Sequence, residues 1–417
     1  MAVLQTRTSP DHRATKPASA LQDTPARIAS IDILRAITML LMIFVNDLWS
    51  LKDIPAWLGH VDRGVDGMGL ADVVFPAFLF IVGMSIPFAV ANRKQKGDST
   101  YELMLHIGSR TLALLVMGLF LVNGENLNAA ATGMQRVVWY SLSCLSFILI
   151  WNVYPKTINP WISRALQVVG IGVLLTLAFV FRGGEAENVN RFSIYWWGIL
   201  GLIGWSYLVS SLVVIFSGGR YYIPLAAWVL FCGLSIVASS GLLPRDSVLR
   251  LLLPGPVLGG TLVAFTLGGV LTTYLFQFFR NQQAHTKMML ALLAVAVGLA
   301  IMGFYTRLFW GISKLGATPA WLFYCSALTI LAFMATYWLA DLRGKAHWFR
   351  FIKPGGTDTL LCYLIPYFAY ATVRLAGISL PEFMLTGGVG LLKSFAFALL
   401  CIWIAGLLSK NGVRLKL

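Results

Sequence analysis

With 417 residues, 58% of them hydrophobic and 12% charged, and a mean hydropathy of +0.76, the chain is too apolar for a soluble globule. It reads as an all-α polytopic membrane protein. The formal charge of +15 is carried in short clusters between apolar stretches, without a basic domain. That distribution argues against a nucleic-acid partner and for a charge bias that sets membrane topology.

Residues 1–27 are rich in Ser, Thr, Pro, Lys and Arg and lack an apolar core, so they read as a disordered cytoplasmic tail. A hydrophobic hairpin follows, with spans at 28–50 and 70–91 joined by a polar loop around His60. The first span carries Asp32, Arg35, Asn46 and Asp47, residues that hydrocarbon rejects. At about 100° per residue, Asp32, Arg35 and Asn46 fall within roughly 60° of one another, one stripe that climbs about 16 Å from Arg35 to Asn46. The second span, ADVVFPAFLFIVGMSIPF, holds Pro76, Gly83 and Pro87, which kink a helix or admit a close neighbour.

Further apolar runs at 107–123, 135–153, 165–181, 193–216, 221–241, 257–279, 288–310, 319–341, 357–375 and 386–408 bring the total to about 11–12 spans. The SGGR turn divides the run that ends at 216 from its successor. With the N-terminus cytoplasmic, about 21 of the 32 Lys and Arg residues fall on the inner side. A transmembrane domain at 28–410 and a cytoplasmic tail at 411–417 follow, and the His60 loop faces outward.

The five cysteines, Cys144, Cys232, Cys325, Cys362 and Cys401, are scattered through apolar stretches without a CxxC pair or neighbouring histidines. They read as core residues, and no metal centre is expected. Walker A, GxSxG, HExxH and Rossmann fingerprints are all missing. His60 is the histidine of an outer loop, with Asp53, Asp62, Asp66 and Asp72 close in sequence. A carboxylate beside an imidazole selects its tautomer and raises its basicity, as a general base requires. Gln135, Arg136, Arg307 and Lys314 are further outer-side polar residues.

The stretch SIDILRAITMLLMIFVND, then the histidine-bearing loop, then LADVVFPAFLFIVGMSI resembles the heparan-alpha-glucosaminide N-acetyltransferase family. It is also similar to that family's bacterial relatives, grouped as DUF5009 or YeiB-like transmembrane acyltransferases. GMQR at 133–136, WGISKLGATPAW at 310–321 and GGTDTLLCYL at 355–364 add to the likeness. The resemblance implies acetyl-CoA as the cytoplasmic donor and the amine of an amino sugar as acceptor on the far side. It assigns the active-site histidine to His60 and a second site residue to Asn46. After the histidine the chain reads VDRGVDGMG, two residues longer than the family's Trp-Asn-Gly element, and no counterpart of the lysosomal enzyme's large luminal domain is found. Heparan sulfate is therefore not the expected acceptor.

On this basis His60 is expected to act as base, or through an acetyl-His intermediate. Asn46 is the expected oxyanion donor, and Asp72 or Asp66 orients the imidazole. Arg35, Arg93, Lys94, Arg110, Arg343, Lys345 and Arg350 are the expected cations for CoA phosphates. Asp47, Asp66, Gln135, Arg136 and Lys314 are the expected acceptor-side residues. Trp348, in a basic loop, is an alternative stacking surface for a nucleotide base. The expected partners are the amino sugar and the lipid bilayer, in a bacterial inner membrane with the His60 loop periplasmic, and a homodimer is allowed. An amino-sugar or N-acetylglucosamine permease is the alternative reading.

Overall fold

The computed structural model describes residues 28–185, 188–242, 253–415 and 417. The expected tail at 1–27 lies outside them. Among the described residues twelve helices of sixteen residues or more account for the fold. They are α1 Ala29–Asp47, α2 Leu70–Gln95, α3 Thr100–Glu125, α4 Arg136–Trp151, α5 Pro160–Val180 and α6 Ile199–Ser217. After them come α7 Tyr222–Ser239, α8 Thr261–Asn281, α9 His285–Trp310, α10 Pro319–Tyr337, α11 Thr359–Leu375 and α12 Gly387–Lys410. Ten of them are long and apolar enough to cross a membrane, while α4 and α11 are shorter apolar helices.

The helices begin and end where side chains close them. Ser99 and Glu102 form a reciprocal capping box that starts α3 at Thr100, seven residues ahead of the apolar run. This start draws His106 into the helix, one turn ahead of Arg110. Gly218 adopts a left-handed conformation (φ +58°) and ends α6 at the SGGR turn.

α1 is buried on most of its surface and packs against α2, α10, α11 and α12. α2 in turn lies against α8 at close range. A methyl group added to Gly83 would meet the Thr266 carbonyl, and one added to Gly269 would meet the Phe80 carbonyl. Thr273 donates to the Met84 carbonyl across the same seam, 2.8 Å away. α5, α7 and α9 form much of the outer surface and turn residues such as Phe179, Val229 and Leu290 outward, as lipid contact requires.

The start of α1 and the last described residues lie at the same end of the bundle. The turn Lys353–Thr357 lies beside the first turns of α1, where a methyl group on Gly356 would meet the Asp32 carbonyl. Ser409 of α12 bonds Asp358, 2.8 Å away. Residues 411–415 fold back onto the α4–α5 connection, where the Val153 amide donates to the Arg414 carbonyl (2.8 Å). This is the Arg35 end, and the opposite one is the His60 end.

Candidate functional site

At the His60 end the first turn of α2 organises the chemistry. Asp72 is buried, its side chain 2% exposed, whereas the His60 side chain is 53% exposed. One Asp72 oxygen lies 2.7 Å from His60 Nδ1, and the other accepts from the amides of Val61 and Gly69, each at 3.0 Å. A buried carboxylate with this many donors stays an acceptor, so Nδ1 carries the proton and Nε2 is left as the basic nitrogen. Lys314 Nζ stands 3.2 Å from His60 Nδ1 and 3.8 Å from Asp72 Oδ1. Burial holds its ammonium below the ordinary lysine value, with the Asp72 charge acting in the opposite direction. The Trp321 indole donates to the Asp72 carbonyl at 2.9 Å and ties α10 to the same turn.

Asp66 anchors this loop from the other side. It accepts from the Ile312 amide at 2.7 Å and from Arg307 at 2.9 Å, and the Gly67 amide returns a bond to the Ile312 carbonyl. The Ile312 amide first and Arg307 second hold its carboxyl below the ordinary value. Asp66 thus fixes the loop, while Asp72 orients the imidazole.

The polar stripe of α1 opens onto a second feature, three cavities in series. The first, about 660 Å³, lies at the Arg35 end and is lined by Arg35, Arg93, His106 and Arg110 among others. Arg35 bonds Asp32 (3.2 Å), the Gly356 carbonyl (2.9 Å) and Ser85 (2.6 Å), and Arg93 pairs with Asp98 at 2.8 Å. Arg110 lies 4.7 Å over the Tyr207 ring, and its buried Nε has no hydrogen-bond partner. A partnerless guanidinium nitrogen in a cavity with two further arginines suits a polyanionic ligand.

Met42, Ile199, Leu200 and Tyr363 are shared with a middle cavity of about 280 Å³ that holds Asn46, Glu125, Tyr367 and Tyr370. Tyr367 and Tyr370 are shared in turn with a third, of about 860 Å³, lined by Trp49, Gln135, Arg136, Tyr140 and Arg374. One face of α11, from Thr359 to Arg374, runs past all three.

The structure sorts the sequence candidates. His60, Asp72 and Lys314 are brought together. Asn46 is exposed to the middle cavity, whose lining does not include His60. Arg35, Arg93 and Arg110 share the first cavity. Lys94 and Arg350 are exposed to solvent away from it, Arg343 lies 4.7 Å over Trp338, and Lys345 sits 5.6 Å from the Trp348 ring. Trp348 therefore has a cation on its face and does not border the cavity. Gln135 and Arg136 line the third cavity. Asp47 is held by Lys393 (2.7 Å), Ser394 (2.6 Å) and Tyr370 (2.9 Å), a buried ion pair that secures the end of α1 beside Asn46.

Sequence reasoning missed His106, Glu125, Tyr370 and Lys393. Lys393 had a signal, since it is a lone cation inside an apolar run. His106 and Arg110 stand four residues apart on α3 and so share a face. Among the described residues no group of three His, Cys, Asp or Glu side chains could hold a metal ion.

Residues 27–223 match a family model described as "Domain of unknown function (DUF5009)". The chain is 34% identical over 122 residues to heparan-alpha-glucosaminide N-acetyltransferase of Homo sapiens, and 33% identical over 101 residues to that of Mus musculus. These alignments cover 28% and 23% of the chain. They span 17% and 14% of the respective relatives, so the likeness reaches less than a fifth of either mammalian protein.

Proposed function

We propose that this chain, whose residues 27–223 match the DUF5009 family model, is a transmembrane N-acetyltransferase. Its donor would be acetyl-CoA at the Arg35 end, and its acceptor the amine of an amino sugar at the His60 end. The observation that carries this reading is the series of cavities along α1, with three arginines at one end and Asn46 at the other. Arg35 and Asn46 are separated by about 16 Å of helix at 1.5 Å per residue. The pantetheine arm of CoA, equivalent to about four extended residues, spans roughly 14 Å. Phosphates held by Arg35, Arg93 and Arg110 would therefore place the thioester at Asn46.

In this reading Asn46 donates a hydrogen bond to the oxyanion that develops on the thioester carbonyl. Through Nε2, His60 takes a proton from the attacking amine, while Asp72 holds Nδ1–H and the ring orientation. Because His60 does not line the Asn46 cavity, its loop must close over that cavity when both substrates are bound, as catalytic contacts often tighten only in the complex. A route through acetyl-His60 uses the same atoms. The Lys and Arg bias makes the Arg35 end cytoplasmic, which in a bacterial inner membrane leaves the His60 loop periplasmic.

The experiment uses purified protein with labelled acetyl-CoA and glucosamine. We expect His60→Gln to lose acetyl transfer while it still binds acetyl-CoA, and full activity in that variant refutes the assignment. Linked cavities would also serve an amino-sugar permease. Uptake of labelled glucosamine into proteoliposomes without acetyl-CoA favours that alternative.

A further inference from the structure

We infer that Glu125, in the middle cavity beside Asn46, receives the acceptor as its ammonium ion and removes the first of the two protons that N-acetylation must release. This inference rests on the transferase reading above.

Glu125 is the last residue of α3, a position where the helix dipole disfavours a negative charge. The end of that helix is nonetheless rigidly placed. The Asn123 amide side chain donates to the Leu119 and Ser193 carbonyls, and Gly124 fits so closely against Trp139 and Tyr140 that a methyl group there would clash. Glu125 is thereby held at a cavity whose walls combine Asn46, Tyr363, Tyr367 and Tyr370 with apolar residues such as Ile43 and Leu121. Its carboxylate has no hydrogen bond or ion pair among the described residues, and the charge that acts on it is that of Arg136. At the same end of the bundle Asp47 is fully engaged by Lys393, Ser394 and Tyr370. Glu125 is exposed at this cavity, so its carboxylate is open to a cationic ligand and has no partner among the described residues to give up. The ligand that fits is a small cation with N–H donors, which enters past Tyr367 and Tyr370 from the larger third cavity, where Trp49 offers a face for a sugar ring.

The chemistry gives the carboxylate a task. A sugar ammonium cannot attack a thioester. Glu125 first takes one proton, breaking an N–H bond and forming O–H on the carboxyl, and later passes that proton to water. His60 takes the second proton as the C–N bond forms and returns it to sulfur as the C–S bond breaks. The sum is one acetamide, one thiol and one proton released. A hydroxyl acceptor has only one proton to lose, so Glu125 selects amines over alcohols.

The test compares wild type, Glu125→Gln and Glu125→Asp as full-length protein in detergent, with acetyl-CoA and glucosamine as probes. Assays run at about pH 6.5 and about pH 8.5, on either side of an ordinary amine pKa. The other titratable groups that face Glu125 are Arg136 and Tyr140 from α4 and Tyr363, Tyr367 and Tyr370 from α11. Glu125→Gln should raise KM for glucosamine about tenfold or more at the lower pH, the loss expected for one charge-assisted hydrogen bond. Most of that deficit should vanish at the higher pH, where the free amine predominates, while acetyl-CoA binding is unchanged. Glu125→Asp should stay near wild type. A deficit equal at both pH values, an unaffected Glu125→Gln, or a Glu125→Asp as impaired as Glu125→Gln overturns the inference. A wild type that binds acetyl-CoA yet acetylates no amine refutes the transferase reading itself, whereas an active wild type with an unaffected Glu125→Gln refutes the role of Glu125 alone.

Discussion

His60 and Asp72 stand twelve residues apart in sequence and 2.7 Å apart in the fold, and the difference in their burial fits the roles proposed for them. The buried carboxylate accepts from two backbone amides and holds the ring, while the half-exposed imidazole leaves Nε2 open for the proposed proton transfer. His60→Gln is expected to lower transfer by about 10²–10⁴-fold, the usual worth of a general base, with acetyl-CoA affinity unchanged by equilibrium binding. Lys314 allows a separate prediction. Its folded pKa is lowered, so the folded state holds fewer protons than the unfolded one. Its contribution to stability is therefore weakest below the lowered pKa and grows as pH rises toward the ordinary lysine value. Lys314→Met should consequently melt no lower than wild type at neutral pH in a detergent thermal-shift assay, even where the rate of transfer changes. A clear fall in Tm would mean that the ammonium stabilises the fold.

Among the elements, the close crossing of α2 and α8 sets where α2 can present Asp72. Gly83→Ala and Gly269→Ala each drive a methyl group into a facing carbonyl, so each should cost about 1–3 kcal/mol. Gly233→Ala and Gly298→Ala, on α7 and α9, meet nothing within 4 Å and should leave Tm at or above the wild-type value. Thermal unfolding of the four variants side by side checks both statements. The sequence showed Gly83 between Pro76 and Pro87 as a place for close approach, because small residues in an apolar span serve little else. It could not name α8 as the neighbour, since that choice is made by packing between segments almost 190 residues apart. The spans themselves were legible from apolar length alone. The start of α3 was not, because it depends on the Ser99–Glu102 cap rather than on hydropathy.

For the molecule as a whole, the stripe on α1 becomes one wall of a series of cavities, and further walls come from α2, α3, α4, α6 and α11. That is why the hairpin could be read for His60, Asp72, Asn46 and Arg35 but not for Glu125 or Tyr370. The charge pattern offered seven cations on the Arg35 side. The fold directs three of them, Arg35, Arg93 and Arg110, into one cavity and leaves the 343–350 loop elsewhere. Arg110→Ala should therefore weaken acetyl-CoA binding by about tenfold or more and flatten its dependence on salt, whereas Arg350→Ala should change neither. Binding titrations at two ionic strengths decide between these outcomes.

The central claim, that an acetyl group enters at the Arg35 end and leaves at the His60 end, is tested most directly in sealed proteoliposomes. They carry glucosamine inside and labelled acetyl-CoA outside, with wild type beside His60→Ala. Labelled N-acetylated sugar should be trapped in the lumen for wild type, and none for the variant. Glucosamine that leaves the vesicles without acetyl-CoA, or lumenal product that persists in His60→Ala, would contradict the claim.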